Sequence, residues 1–302
     1  MIQSFKITVV ILLLSIGILQ GQDYDFSKPD LIWPMPVALH EISGLSFAGQ
    51  DEWLLAIQDE KGIVSGIDPA TGLIKQSWTL TGKGDFEGIE VADSILYLLR
   101  SDGMLLQTPW QNGASGAVSS SQLIARKGID LEGLGWDPIL KKLLIAVKDD
   151  PSSLNNPTKG WLYFDPVSAT LDSTIVGINK EEFSEIVKKQ IKKSDKKRIM
   201  AWLKKTPDQF LLGPSGIAIH PSTSEIYMLS HRGKVLLVFD KKGLCTNSFA
   251  LDPAIFPQPE GIAFNQQGDL YIASEGNKKK PGQIVIFRNK LKNQQNMEPD
   301  SH

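Results

Sequence analysis

The chain has 302 residues, with 32 Lys and Arg against 34 Asp and Glu, so its formal net charge is −2 and gives no reason to expect nucleic-acid binding. Hydrophobic residues make up 41% and charged residues 22% of the chain, a globular composition that excludes disorder, collagen-like repeats and a multi-span membrane protein. The single cysteine, Cys245, excludes an intramolecular disulfide framework and any multi-cysteine metal site.

The N-terminus has the pattern of an export signal. Lys6 precedes a mostly apolar stretch from Ile7 to Leu19, and polar residues follow it. At about 1.5 Å per residue this stretch is too short to cross ~30 Å of hydrocarbon comfortably. We therefore predict that residues 1–21 are a signal peptide cleaved after Gly21, with an uncleaved membrane anchor as the alternative. In both cases the protein is exported, and is periplasmic, secreted or anchored to the cytoplasmic membrane.

A five-residue pattern then recurs along the chain. Each copy has Ser or Glu, then Gly, then an alternating apolar strip, and the copies start 44, 45, 83 and 45 residues apart. Further short apolar runs and turn residues follow each copy. Short strands repeated at this interval are typical of β-propeller blades. The copies start at Ser43, Glu87, Glu132, Ser215 and Glu260.

The 83-residue interval leaves the number of blades open between five and six. We favour five, because the sequence after Asn179 is helical. Asn179 can cap a helix with Glu182 as its capping-box partner, and apolar residues follow at helical spacing. The sequence thus predicts one all-β, five-bladed propeller domain over 22–290, with an α-helical insertion at 179–206 and a disordered polar tail at 291–302.

The last repeat contains only three apolar runs. The missing fourth strand is predicted to come from Leu31-Ile32-Trp33, near the start of the mature chain. Such a strand would close the ring and remove its free edge.

Three of the repeats begin with a carboxylate: Glu87, Glu132 and Glu260. Because side chains alternate along a strand, each should share the inward face with the apolar residues of its repeat. The three should then converge at one mouth of the axial channel, where like charges repel and burial is costly. A bound Ca²⁺ would offset both effects, and the adjoining glycines would permit carbonyl ligation. The alternative is that each Glu accepts a hydrogen bond from a neighbouring blade.

A second set of polar residues follows the second apolar run of each repeat. They are expected on loops at the same mouth, where mixed charges suggest a small polar or anionic ligand; ordinary polar turns are the alternative. His231 could act as a general base only with an orienting partner. With the two serines that begin repeats, the candidate ligand-binding residues are Ser43, Asp59, Glu60, Arg100, Lys148, Asp149, Ser215, His231 and Glu275.

The helical insertion is strongly basic. From Asn179 to Lys205 it has ten Lys or Arg against four Asp or Glu. One interpretation is a solvated helix whose apolar stripe packs on the propeller. The other is a peripheral contact with a membrane surface or a protein partner through 179–205, because basic amphipathic helices favour anionic surfaces.

The repeat motifs resemble those of one family. The segments Asp-Phe-Glu-Gly-Ile, Asp-Leu-Glu-Gly-Leu-Gly-Trp-Asp-Pro, Gly-Pro-Ser-Gly-Ile-Ala-Ile-His-Pro and Pro-Glu-Gly-Ile-Ala-Phe are similar to the SdiA-regulated, YjiK-like bacterial envelope propellers. That family is distantly similar to NHL-repeat and phytase-like proteins. The resemblance implies a five-bladed propeller that binds calcium, with Glu87, Glu132 and Glu260 as the candidate ligands.

Two classes of function follow. The first is a non-enzymatic, calcium-binding envelope module that senses, binds or scaffolds a small polar ligand or an envelope protein. The alternative is a metal-dependent hydrolase, phytase-like or lactonase-like, in which a channel-bound cation polarises a phosphate or ester. Arg100, Lys148 and Arg232 are a thin supply of basic residues for a phytase, so the non-enzymatic class is favoured.

Overall fold

The computed structural model describes residues 24–114, 116–123, 128–150, 158–204 and 210–290. The predicted signal segment at 1–21, the predicted tail at 291–302 and residues 205–206 of the predicted insertion lie outside these residues.

The chain forms five antiparallel sheets arranged as the blades of a β-propeller, so the expectation of five blades, not six, is confirmed. In every blade the five-residue pattern lies within the first strand. Blade 1 contains β2 (Ile42–Ala48), β3 (Trp53–Gln58), β4 (Lys61–Ile67) and β5 (Ile74–Lys83). Blade 2 contains β6 (Phe86–Ala92), β7 (Ile95–Arg100), β8 (Met104–Pro109) and β9 (Ser119–Gln122). Blade 3 contains β10 (Asp130–Asp137), β11 (Lys142–Asp149), β12 (Lys159–Asp165), β13 (Thr170–Leu171) and β14 (Val176–Ile178). Blade 4 contains β15 (Pro214–Ile219), β16 (Ile226–Ser230), β17 (Val235–Phe239) and β18 (Cys245–Ala250). Blade 5 contains β19 (Pro259–Phe264), β20 (Leu270–Ser274), β21 (Gln283–Phe287) and β1 (Leu31–Pro34).

The ring is closed by β1, the first strand of the chain. It pairs antiparallel with β21, and Ile32 lies opposite Val285 while Trp33 lies opposite Ile284. A short 3-10 helix, Val37–Leu39, then leads into blade 1. The predicted closing strand is therefore confirmed, and it joins the two ends of the domain in one sheet.

The hydrophobic core lies between neighbouring blades rather than along the axis alone. The second and third strands of each blade are buried on both faces, since each blade packs between two others. This explains why their sequences are continuous apolar runs instead of alternating ones. The first strands of successive blades contact one another in ring order.

The two ends of the propeller axis are different. We call the end that carries Glu132 and Glu260 the mouth end. The turns that join strands one and two of each blade, and those that join strands three and four of blades 1 to 4, lie at the opposite end, which we call the turn face. This follows from the antiparallel order of strands in every blade.

The insertion between β14 and β15 is a pair of helices, α1 (Lys180–Gln190) and α2 (Lys193–Lys204). The predicted capping box is present: the Asn179 side chain accepts from the Glu182 N–H, and the Glu182 side chain accepts from the Asn179 N–H. Phe183, Val187 and Ile191 are buried between the helices and blades 3 and 4. None of the described helices is long and apolar enough to cross a membrane.

Candidate metal centre

The third residue of each repeat closes the axis of the propeller. These side chains leave a cavity of about 10 Å³ between them, which is room for about one water molecule. The axis is therefore a packed plug instead of an open channel, and the first residue of each repeat stands at the mouth end of that plug. The third-position residues are Leu45, Ile89, Leu134, Ile217 and Ile262.

The glycines at the second position are required by the packing of one blade on the next. A Cβ added at Gly133 would lie 2.5 Å from the Cα of Gly216, and one at Gly216 would lie 2.1 Å from the carbonyl oxygen of Glu260. No side chain fits at either place. The glycines thus allow close contact between blades, and ligation of a cation by their carbonyl groups stays a prediction.

The two serines that begin repeats also join neighbouring blades. Ser43 Oγ donates to the carbonyl oxygen of Phe86 (2.7 Å), and Ser215 Oγ donates to that of Pro259 (2.8 Å). Both side chains are buried, and each bonds the residue before the next blade's glutamate. Their donors are used in the fold, which makes them weak candidates for binding a ligand.

Glu132, His231 and Glu260 form a compact group at the mouth end. Each offers one ligand atom, and the three atoms lie within 4.8 Å of one another. Glu132 and Glu260 are 2% and 4% exposed. His231 Nδ1 lies 3.8 Å from Glu260 Oε1, and neither this nitrogen nor Glu260 Oε2 has a hydrogen-bond partner among the described residues. Two buried polar atoms on adjacent side chains of this group thus lack a hydrogen-bond partner.

Glu87 lies close to this group without belonging to it. Burial, followed by the charges of Glu132 and Glu260, raises the pKa of Glu87 to about 10. Burial and the charge of Glu132 likewise raise the pKa of Glu260 well above its usual value. The three predicted glutamates therefore influence one another electrostatically, as their shared position in the repeat suggested, but the compact group replaces Glu87 by His231.

Lys148 already supplies one positive charge at the mouth. Its ammonium donates to Glu132 Oε1 and lies 3.1 Å from Asp130 Oδ2. Burial opposes the charged lysine, but these two carboxylates raise the pKa of Lys148 above its usual value. Burial raises the pKa of Glu132 to about 7, and Lys148 opposes that rise. Lys148 therefore pairs directly with Glu132, whereas Glu260 has only the more distant charge of Lys148 and the side chain of Gln258 to oppose the rise of its pKa.

His231 is held as a neutral imidazole. Burial, followed by the charges of Lys148 and Arg232, lowers its pKa to about 3. A neutral imidazole nitrogen is able to bind a metal ion. His231, from the polar residues that follow the second strand of each blade, is thus a candidate metal ligand, whereas the sequence had suggested only a general base.

Two other predicted residues extend the acidic mouth. Burial and the charge of Glu41 raise the pKa of Asp59 to about 6. Burial and the charge of Asp59 raise the pKa of Glu275 to about 8. Glu275 also accepts from the side-chain amide of Gln258 (2.6 Å).

The remaining predicted residues have other contacts. Arg100 pairs with Asp102 (2.6 Å), and the Glu60 side chain is exposed. Asp149 is bound by Lys159 and Arg232, each at 2.9 Å. Lys159 and Asp130 were not predicted as site residues, since neither lies within the five-residue pattern that begins at Glu132.

These features define a five-bladed β-propeller with a plugged axis and an acidic mouth. Residues 30–278 match the family model described as SdiA-regulated, and the chain belongs to the SdiA-regulated family. A search of curated proteins finds no match.

Several solved structures are similar to this chain. A luciferin-regenerating enzyme shares 11% identity over 87% of this chain and 96% of its own, with a TM-score of 0.49. A gluconolactonase from Xanthomonas campestris shares 13% identity over 82% of this chain and 72% of its own, with a TM-score of 0.48. The glutaminyl cyclase of Myxococcus xanthus shares 15% identity over 64% of this chain and 68% of its own, with a TM-score of 0.42.

Proposed function

We propose that the mouth binds a divalent cation and that the protein is a non-enzymatic cation-binding module of the cell envelope. The observation that carries the proposal is the buried Oε2 of Glu260, which lacks a partner beside the unpaired Nδ1 of His231. An unsatisfied buried carboxylate oxygen costs free energy that a bound cation would offset.

The electrostatics of the mouth support the same proposal. Glu87, Glu260 and Glu275 all have raised pKa values for the same two reasons, burial and the charge of nearby carboxylates. Among the described residues, Lys148 forms an ion pair with Glu132, and its charge opposes the raised pKa values of the other three only from a greater distance. A divalent ion at the mouth would favour the ionised form of all of them.

The identity of the cation depends on which third ligand is used. Calcium, which the family resemblance implies, prefers oxygen and would be held by Glu87, Glu132 and Glu260. The imidazole of His231 instead suits Mn²⁺ or Zn²⁺, held with Glu132 and Glu260. Calcium is the cation that we propose first, and His231 is the residue that separates the two cases.

Calorimetry with Ca²⁺, Mg²⁺, Mn²⁺ and Zn²⁺ tests the proposal. We expect Glu260→Gln to weaken binding at least about tenfold, since the number of ligand charges sets the affinity. Glu52→Gln, an exposed change on the turn face, is the matched control. Glu87→Gln should weaken Ca²⁺ alone, whereas His231→Gln should weaken Mn²⁺ or Zn²⁺ alone. The absence of binding heat for every cation would contradict the proposal.

Lys148→Met provides a second test, because Lys148 competes with any cation for Glu132. Removing the ammonium should raise cation affinity by about tenfold, while the cation-free protein loses about 3–5 kcal/mol of stability from the unpaired carboxylates. Calorimetry and thermal unfolding with and without the cation measure the two effects. If Lys148→Met loses stability with no gain in affinity, the carboxylates have a structural role only.

The proposed role is to sense, bind or scaffold a small polar ligand or an envelope protein, after export. A panel of phosphate and ester substrates with the bound cation tests the non-enzymatic part. Cation-dependent turnover that Glu260→Gln abolishes would instead identify a phytase-like or lactonase-like hydrolase.

A further inference from the structure

The exposed apolar side chains of the propeller are concentrated on the turn face. Among the described residues, nine large hydrophobic side chains are exposed. Two of them, Leu31 and Ile32, are on the outer strand β1, and one, Val37, is at the mouth end. The other six all project from turns of the turn face: Leu73, Val118, Ile139, Leu140, Val167 and Leu244.

These side chains stand on well-built turns. The carboxylate of Asp137 accepts from the N–H groups of Ile139 and Leu140 (2.8 and 2.9 Å). Asp165 accepts from the Val167 N–H (2.8 Å). Asp240 accepts from the Leu244 N–H (2.9 Å). The aspartates thus fix turns whose apolar tips point into solvent, Val167 with 91% of its surface exposed.

The centre of the same face is a cup lined by both apolar and polar side chains, the polar ones including Asp51 and Asp93. The fifth residue of each repeat lines a concavity of about 840 Å³ at this end of the plugged axis. Clustered apolar surface of this kind marks a site of protein or membrane contact. The five residues are Phe47, Val91, Trp136, Ile219 and Phe264.

The described chain also enters the propeller at this face. Tyr24 packs against His220 and Phe264, and its hydroxyl donates to the carbonyl oxygen of Gly268. The apolar stretch Ile7–Leu19 ends five residues before Tyr24. At about 3.3–3.6 Å per residue, five residues of chain span at most roughly 18 Å. With the stretch retained as the uncleaved anchor, a bilayer that holds it is therefore next to the turn face.

We propose that the turn face docks on the surface of a lipid bilayer, with the apolar turn tips in the headgroup region and the acidic mouth directed away from the membrane. Lys241 and Lys242 precede Leu244 in the same turn and are exposed, so they can contact anionic headgroups. The proposal does not depend on cation binding at the mouth.

The helical insertion is a poorer docking surface than the turn face. Its apolar stripe is buried against blades 3 and 4, so mainly polar and basic side chains face outward. Arg198 on α2 donates to the carbonyl oxygens of Gly233 and Leu251, both of which lie in mouth-end connections. Gln190 on α1 donates to the carbonyl oxygen of Thr246 and accepts from the Ser248 N–H, both in the outer strand β18. Docking through α1 and α2 would therefore place the side of the propeller, and not the turn face, against the bilayer.

Fluorescent labels on the full-length chain distinguish the two orientations. Single cysteines at Val167→Cys, Val37→Cys and Lys189→Cys, in a Cys245→Ser background, carry an environment-sensitive dye in vesicles of phosphatidylethanolamine and phosphatidylglycerol. Val167 and Val37 are matched, since both are 91% exposed and they lie at opposite ends. Spin-labelled lipids should quench the dye at position 167 about twofold or more, because interfacial groups are buried ~5–10 Å deep, and should leave position 37 unquenched.

Charged substitutions on the turn tips provide the second arm. Ile139→Glu with Leu244→Glu should abolish the quenching at position 167, whereas Val37→Glu should not change it. The proposal is overturned if position 37 or 189 is quenched as strongly as position 167, or if no position is quenched. It is also overturned if the dye at 167 becomes shielded in detergent, without vesicles, as protein concentration rises, because the occupant is then a second copy of the chain.

Discussion

Side chains that cross from one blade to the next determine much of the behaviour of single residues in this propeller. Ser46 in blade 1 donates to Glu90 Oε1 in blade 2 (2.9 Å), and the Val91 N–H donates to Ser46 Oγ (3.0 Å). Glu90 therefore takes part in the same kind of link that Ser43 and Ser215 make, although it carries an ionisable group. Burial raises its pKa to about 8, against a usual value of 4.5.

We expect Glu90 to make the stability of the protein depend on pH. Below about pH 4.5 the group is protonated in both the folded and unfolded states, so its titration does not change the free energy of unfolding. Between about pH 4.5 and 8 only the unfolded chain loses the proton, so the free energy of unfolding falls as pH rises, by an amount on the order of a few kcal/mol. Glu90→Gln keeps the oxygen that accepts from Ser46 and should remove this loss.

Urea unfolding between pH 5 and pH 9, in the presence of a chelator, measures the effect. The advantage of Glu90→Gln over the wild type should grow with pH and level off above about pH 8. Glu52→Gln, an exposed change, should run parallel to the wild type. A constant difference between Glu90→Gln and the wild type at every pH would show that Glu90 keeps its ordinary pKa in the folded protein.

At the scale of elements, the first strands form a ring whose glycines make close contact possible. Gly216 meets the carbonyl oxygen of Glu260, and Gly261 in turn lies against Gly44. The contact thus passes from blade to blade around the axis. Gly216 therefore both packs the first strands together and contacts the backbone of Glu260 at the mouth.

Gly216→Ala should be strongly destabilising, because its Cβ would lie 2.1 Å from a backbone oxygen that cannot move without shifting a blade. We expect a loss of about 2–4 kcal/mol in the free energy of unfolding, as for an overpacked core. Gly82→Ala is the control, since nothing lies within 4 Å of its added Cβ, and it should change stability by less than about 1 kcal/mol. Equal effects in chemical unfolding would show that the first strands can separate without cost.

The elements were more predictable from sequence than the contacts of the site. Asn179 and Glu182 are three residues apart, so their capping box was visible in the sequence. Glu132 and Glu260 were found because the repeat places them alike. The bond between Lys148 and Glu132 and the approach of His231 to Glu260 depend on how strands and blades are registered. Periodicity does not determine that register, and the two serines show that one repeat position supports different roles.

At the scale of the whole molecule, closure of the ring depends on a four-residue strand. Among the described strands β1 pairs only with β21, and three of its four side chains are exposed, so the backbone pairing that closes the ring is short. β9 in blade 2 is also a four-residue outer strand with exposed side chains, but it closes no ring. The two strands allow the contribution of closure to be separated from that of an ordinary outer strand.

Proline in each strand tests this distinction. Proline removes a backbone donor and disfavours pairing inside a sheet, so Ile32→Pro and Ser120→Pro should each release their own strand. Only Ile32→Pro also exposes the β21 edge at the point where the ring closes. We expect Ile32→Pro to cost about 3 kcal/mol, or roughly 6–12 °C in melting temperature, against about 1 kcal/mol, or roughly 2–4 °C, for Ser120→Pro.

Hydrogen exchange should then show loss of protection in β20 and β21 for Ile32→Pro and only in β8 for Ser120→Pro. Equal melting temperatures for the two variants would mean that the packing of the blades, without the closing strand, is sufficient to hold the ring together.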